Sequence, residues 1–331
     1  MDFMDSVKEK VRQLDKKKII VLPEAWDERM IIAANKLQNE KIADVILLGT
    51  EEMIKPLALK NDIDYSKLKV VDHLKSPNFD AYVDEYFKLR EKKGITRDEA
   101  KKVIENPLYY GVMMVRKGEV DGCVAGANNT TGEVIRASLH IVGTKKGIKT
   151  LSSCFIMELA DDEFVNDKLV IFSDCAVVPN PDPEQLSDIA ISAAESCQSF
   201  LGKSPKVAML SFSTMGSAAS DDTEKVVAAV KIAKEKRSDL AIDGEMQFDA
   251  ALIPKIGQKK APNSKVAGQA NVFVFPDLDA GNIGYKILER LGKAKAIGPI
   301  FQGLGMPIND LSRGCSADDI VNTATFTCLQ V

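Results

Sequence analysis

The chain has 331 residues, 45% of them hydrophobic and 28% charged, with a formal net charge of -4. That length accommodates two packed cores rather than one. An acidic balance excludes the basic surface that broad nucleic-acid or anionic-membrane binding requires, so any anion site must be local.

The N-terminus, MDFMDSVKEKVRQLDKKK, reads as a charged amphipathic helix without the apolar stretch of a secretion signal, and no run approaches the length of a membrane span. The expected location is the cytoplasm. Short apolar runs then alternate with helical patterns, the mark of βα units around mostly parallel sheets. Strands are predicted at 18–22 (KIIVL), 44–49 (DVILLG), 67–71 (KLKVV) and 122–126 (GCVAG). A second series falls at 151–157 (LSSCFIM), 169–174 (LVIFSD), 206–212 (KVAMLSF), 240–243 (LAID) and 271–277 (NVFVFPD). No low-complexity linker or internal repeat interrupts them, which favours two intimately connected α/β domains.

Ligands of open parallel sheets bind beyond the carboxyl ends of the strands, where loops lead into helix N-termini. Four loops rich in Gly, Asn, Ser and Thr are the candidates: GANNTTGE at 126–133, SFSTMGSAASDD at 211–222, FPDLDAGNIGY at 275–285 and NDLSRGCSADD at 309–319. Several enzyme classes fall away, because the chain has no GxGxxG, no complete Walker A motif, no GxSxG elbow and no HExxH. With only His73 and His140, a Ser-His-Asp machine is not expected. The six cysteines form no CxxC pairs and read as reduced thiols.

Ser312-Arg313-Gly314-Cys315-Ser316-Ala317-Asp318-Asp319 leads into a final apolar helix, 320–329. A helix N-terminus attracts anions through its unpaired N–H groups, and Arg313 with a serine hydroxyl would complete a phosphate or oxyanion cradle. The competing reading is a capping box from Ser316 to Asp319, and one geometry does not exclude the other. Thr130-Thr131-Gly132-Glu133 repeats that logic before Arg136, where an Arg136–Glu133 helical pair is the plainer alternative. Arg90, late in a helix over 79–93, reads on its own as a solvated residue complementing the helix dipole. Cys315 is expected to carry a lowered pKa beside Arg313, as an acyl acceptor or, more simply, as a pocket-lining thiol.

Together these segments resemble the phosphotransacetylase (phosphate acetyl/butyryltransferase) family. The resemblance runs from about Ile19 to the C-terminus and rests on AGANNTTGEVIRASLHIVGTKKGIKTLSSCFIM, SDCAVVPNPDPEQLSDIA, AMLSFSTMGSA, DGEMQFDAA, VAGQANVFVFPDLDAGNIGYKILERL and AIGPIFQGLGMPINDLSRGCSADDI in that order. It implies two α/β domains of the isocitrate/isopropylmalate dehydrogenase type, with the active site in the interdomain cleft, in a homodimer. The implied first domain is discontinuous, 1–147 with 300–331, and the second is 148–299. The family's catalytic residues fall on Ser312, Arg313 and Asp319. Its substrate-binding arginines fall on Arg90 and Arg136, and Thr130, Thr131 and Cys315 lie in segments lining the implied phosphate and coenzyme A sites.

The implied reaction transfers an acetyl group between acetyl phosphate and coenzyme A, with inorganic phosphate as the other partner and without a metal or a tightly bound cofactor. Asp319 would take the thiol proton, Ser312 would donate to the oxyanion, and Arg313 with Arg90 and Arg136 would hold the phosphate. Propionyl or butyryl transfer is the nearest alternative, since one methylene changes binding by only about 1–3 kcal/mol. A metal-dependent dehydrogenase of the same architecture would need an aspartate cluster, which the sequence does not offer. A non-catalytic phosphate-binding protein would not need Ser312 and Asp319.

Overall fold

A computed structural model describes residues 2–161, 165 and 168–331. The chain forms two compact units, Met1–Thr144 with Leu304–Val331, and Lys145–Gly303.

The first unit opens with α1 (Phe3–Arg12), β1 (Lys18–Leu22), α2 (Glu28–Asn39), β2 (Ala43–Leu48), α3 (Glu51–Lys60) and β3 (Lys69–Val71). It continues through α4 (Phe79–Arg90), α5 (Arg97–Ile104), α6 (Pro107–Arg116), β4 (Gly122–Ala125) and α7 (Thr131–Ile141). The second unit comprises β5 (Ser152–Glu158), β6 (Leu169–Ser173), α8 (Pro183–Ser196), β7 (Lys206–Leu210), α9 (Asp221–Lys236) and β8 (Ala241–Met246). After these come α10 (Phe248–Leu252), α11 (Pro254–Lys260), β9 (Val272–Val274), α12 (Leu278–Arg290) and β10 (Lys295–Gln302). The chain then returns to the first unit as β11 (Ile308–Asp310) and α13 (Ala317–Leu329).

In the first unit the strands run in the order β11-β4-β1-β2-β3, every neighbouring pair parallel. The alternation of a strand sends Ile20, Leu22, Val45, Leu47 and Val124 into one core. There they meet Met30, Leu37, Ile320 and Ala324 from α2 and α13, which pack on each other. On the opposite face Val21 and Leu48 lie against Gly111 of α6. Full burial of each large aliphatic side chain contributes roughly 1.5–3 kcal/mol, so α13 is anchored by Ile320 and Val321 directly behind its exposed first turn.

The second unit holds a six-stranded sheet in the order β10-β5-β6-β9-β7-β8, parallel except for the two pairings made by β5. Its core is rich in phenylalanine, with Phe155, Phe172, Phe273 and Phe275 buried together. The nine strands expected from sequence are all present, β1 with the expected ends and the other eight shifted at one end or both. β10 was not expected, because Gly298-Pro299 sits in its middle and reads as a breaker; its pairing with β5 is irregular there, between Ile297 and Ile300, and the strand survives as a sheet edge. β11 differs from the expected loop at 309–319, because three residues ending in Asn309-Asp310 carry no strand signal of their own.

Candidate active site

The order β11-β4-β1 aligns three carboxyl strand ends, so the loops after them, 311–316, 126–130 and 23–27, lie side by side. Buried polar groups join them. Glu24 is fully buried and accepts hydrogen bonds from four successive backbone N–H groups. Its Oε2 takes Gly126 and Ala127, both at 2.9 Å, and its Oε1 takes Asn128 at 3.0 Å, Asn129 at 2.7 Å and the Asn129 side-chain amide at 2.7 Å. The loop between β4 and α7 is therefore wrapped around one carboxylate. Gly126 closes the turn at φ +109°, where a Cβ would strike Asp310 Oδ1 and Leu311 N, the latter at 2.7 Å.

Arg29, at the start of α2, links all three loops. Its Nε and Nη2 grip Asp27 at 2.9 and 2.6 Å, and Nη2 also donates to the Ala127 carbonyl at 3.0 Å. Its Nη1 donates to the carbonyls of Arg313 at 2.9 Å and Cys315 at 2.7 Å. The Arg29 guanidinium holds the Asp27 carboxyl below the usual carboxylate range, and Asp27 also accepts from the Asn128 amide at 2.9 Å. Sequence reasoning missed Glu24, Asp27 and Arg29 because it searched loops rich in Gly, Asn, Ser and Thr. The signal was the acidic stretch Pro23-Glu24-Ala25-Trp26-Asp27 directly after β1, at the edge where parallel sheets bind ligands.

Of the expected site residues, Ser312 and Arg313 are exposed on the loop between β11 and α13. Both capping boxes form. Ser316 caps α13 with Asp319 at its third position, and Thr130 caps α7 with Glu133. Cap and catalyst remain compatible for Asp319: Oδ2 accepts from the Ser316 N–H at 2.8 Å and the Ser316 hydroxyl at 2.9 Å, while the side chain stays exposed. The Thr130 hydroxyl donates to Glu133 at 3.0 Å and that of Thr131 to Asp310 at 2.6 Å, so each offers a ligand lone pairs rather than a proton.

The expectation for Cys315 needs correction. It is 7% exposed, and burial pushes its thiol pKa up, outweighing the downward pull of Arg29. The charge that acts on it comes from Arg29, whose Nη1 is 3.7 Å from Sγ, rather than from Arg313.

The arginines separate cleanly. Arg12, Arg29, Arg97, Arg116, Arg237 and Arg290 each contact a carboxylate. Among the described residues, Arg90, Arg136 and Arg313 make no ion pair or side-chain hydrogen bond. The plainer reading of Arg136, a helical pair with Glu133, is not realised as an ion pair, because Glu133 is turned back onto Thr130. Arg90 and Arg136 converge: the charges of both act on Tyr109 and on His140. Burial, then Arg90 and Arg136, lowers the His140 pKa, so its ring is neutral near pH 7; Nδ1 lies 3.2 Å from the Tyr86 hydroxyl oxygen.

Asp310, at the end of β11, is 3% exposed. Burial raises its pKa to about 7, and among the described residues its Oδ1 has no hydrogen-bond partner. Sequence gave no warning of it, since Asn309-Asp310 looks like any polar turn.

Among the described residues, no cluster of three or more His, Cys, Asp or Glu side chains is arranged to hold a metal, and no helix is long and apolar enough to cross a membrane. The family profile described as Phosphate acetyl/butaryl transferase matches residues 2–328. The chain is 49% identical to the phosphate acetyltransferase of Acetivibrio thermocellus over 330 residues, covering 100% of this chain and 98% of that one. Among solved structures it is similar to the EutD phosphotransacetylase from Staphylococcus aureus, with 44% identity, a TM-score of 0.91 and coverage of 99% and 98% of the two chains. A phosphotransacetylase from Streptococcus pyogenes is similar at 42% identity, with a TM-score of 0.93 and coverage of 99% and 97%.

Proposed function

The chain belongs to the phosphate acetyl/butyryl transferase family, and from that premise we propose that it is a phosphate acetyltransferase, moving acetyl between acetyl phosphate and coenzyme A. The observation that carries the reading within the molecule is the separation of its arginines. Six are neutralised by carboxylates, while Arg90, Arg136 and Arg313, the three that match the family's phosphate ligands, are left with their donors free among the described residues. Their planar forks suit a phosphate group, which they grip through paired bonds.

In the forward direction the thiol of coenzyme A loses its proton to Asp319, whose Oδ1 makes no hydrogen bond among the described residues. The thiolate attacks the acetyl carbonyl carbon, a C–S bond forms, and the electron pair moves to the carbonyl oxygen. Ser312 Oγ and the positive N-terminus of α13 stabilise that oxyanion. Collapse breaks the bond between the acyl carbon and the bridging oxygen, releasing phosphate. Phosphate departs as an anion with a second pKa near 6, so it needs cations rather than an acid; Arg313, Arg90 and Arg136 supply them. A free thiol with a pKa of about 8.5 is a few per cent ionised at neutral pH, so a placed base is worth roughly 10² to 10⁴-fold.

Transfer is direct, in a ternary complex. Cys315, buried and with its pKa raised, is a poor acyl acceptor and lines the site instead. Thr130 and Thr131 contribute through the loop held by Glu24. Acetyl is preferred over propionyl or butyryl, the enzyme works as a cytoplasmic homodimer, and coenzyme A is its substrate rather than a resident cofactor; the family supports these three points.

The test is release of phosphate from acetyl phosphate in metal-free buffer, with and without coenzyme A, followed by specificity constants for acetyl, propionyl and butyryl phosphate. Release that ignores the thiol would sink the reading. A larger constant for butyryl phosphate would move it to the longer acyl group.

A further inference from the structure

We infer that Arg29 is a positioning residue for acyl transfer, setting both Ser312 and Asp319 from behind through two peptide planes; the inference rests on the acetyltransferase reading above. All five N–H donors of its guanidinium are occupied: Nε and one Nη2 hydrogen by Asp27, the other Nη2 hydrogen by the Ala127 carbonyl, and both Nη1 hydrogens by the carbonyls of Arg313 and Cys315. Nothing is left for a substrate. Its effect on the reaction must therefore pass through what it holds.

What it holds are the two peptides that orient the catalytic side chains. In a trans peptide the carbonyl and the following N–H point in opposite directions across one rigid plane. Pinning the Arg313 carbonyl inward turns the Gly314 N–H outward, and that N–H donates to Ser312 Oγ at 3.3 Å. Pinning the Cys315 carbonyl inward turns the Ser316 N–H outward, and that N–H donates to Asp319 Oδ2 at 2.8 Å. One nitrogen, Nη1, thus fixes both planes. Asp27 in turn fixes Arg29, and through the Asn128 amide it shares that restraint with the loop wrapped around Glu24.

Lysine cannot reproduce this arrangement. Three ammonium hydrogens cannot serve four acceptor groups set around a planar fork, so at least one plane is released. A catalytic group displaced by about 1 Å typically costs on the order of 10²-fold in rate. Arg29 has no donor left for a substrate and leaves Arg90 and Arg136 untouched, and the planes it releases carry Ser312, Arg313 and Asp319, whose contacts strengthen in the transition state, so the loss falls on kcat.

The experiment compares wild type, Arg29→Lys, Arg29→Ala and Asp27→Asn in the coenzyme A-dependent assay, with kcat normalised to folded protein measured by circular dichroism and thermal melting. We expect Arg29→Lys to lose roughly 10²-fold in kcat while KM for acetyl phosphate shifts by less than about threefold. Asp27→Asn should lose less, and methylguanidine should restore part of the activity of Arg29→Ala. Should the alanine variant not fold, Arg29→Lys and Asp27→Asn carry the same contrast. Wild-type kcat per folded molecule in Arg29→Lys would overturn the inference, as would a loss confined to KM. A wild-type enzyme without thiol-dependent turnover would instead overturn the acetyltransferase reading, and this inference with it.

Discussion

Asp319 Oδ2 accepts hydrogen bonds from both the N–H and the hydroxyl of Ser316, at 2.8 and 2.9 Å, so the residue assigned to proton abstraction also caps the helix that carries it. The two roles use different oxygens. They also make different forecasts for Asp319→Asn, since asparagine retains one oxygen able to cap. As a base, Asp319 predicts a fall in kcat of roughly 10² to 10⁴-fold with little change in melting temperature. Purely as a cap, it predicts a stability loss of about 0.5–2 kcal/mol and nearly intact turnover. We expect the first outcome, with a deficit that shrinks as pH approaches about 8.5, where the thiol ionises unaided. A deficit constant from neutral pH upward would assign the proton another route.

Arg313, on the same loop, has no ion-pair partner among the described residues, and its backbone carbonyl, not its side chain, answers to Arg29. Arg313→Lys keeps the charge and loses the planar fork that, in the proposed role, grips phosphate through two bonds. We expect severe loss of activity at unchanged melting temperature, since an exposed side chain without partners among the described residues contributes little to folding. Near-normal turnover at saturating substrates would remove Arg313 from the phosphate site.

Cys315 tests whether an acyl-enzyme exists. Burial raises its pKa, Arg29 offsets this only in part, and among the described residues no base is hydrogen-bonded to its sulfur. Cys315→Ala should therefore retain most activity. Single-turnover mass spectrometry that trapped an acetylated Cys315 at a competent rate would replace the ternary mechanism with a two-step one.

Asp310 makes stability depend on pH in a predictable direction. Its folded pKa, raised to about 7 by burial, lies above the unfolded value near 3.8, so the folded chain holds this proton more tightly. Its contribution is fully present below about pH 4 and is lost as pH rises through about 7. The groups facing it are the Thr131 hydroxyl, which donates to Oδ2, and the Glu24 carboxylate, which disfavours its charge further. Asp310→Asn, isosteric and uncharged, should gain on wild type in melting temperature between pH 5 and pH 8. A gap between the two proteins that does not change over that range would show that Asp310 does not titrate there.

Local rules made much of this molecule legible. Short apolar runs located nine of the eleven strands among the described residues, and Ser, Thr, Asp and Glu at cap spacing announced the starts of α7 and α13, because both signals depend on residues adjacent in sequence. The match of SRGCSADD and TTGEVIRA to a family named the outward-facing residues. What sequence alone left undecided was how those residues are held. Glu24 meets Gly126–Asn129 across about a hundred positions, and Arg29 reaches Arg313 and Cys315 across nearly three hundred. Those contacts exist only because β1, β4 and β11 become neighbours in a parallel sheet. The pKa values of Cys315 and Asp310 belong to the same class: both follow from burial, a property of the packed chain rather than of the residues beside them in sequence.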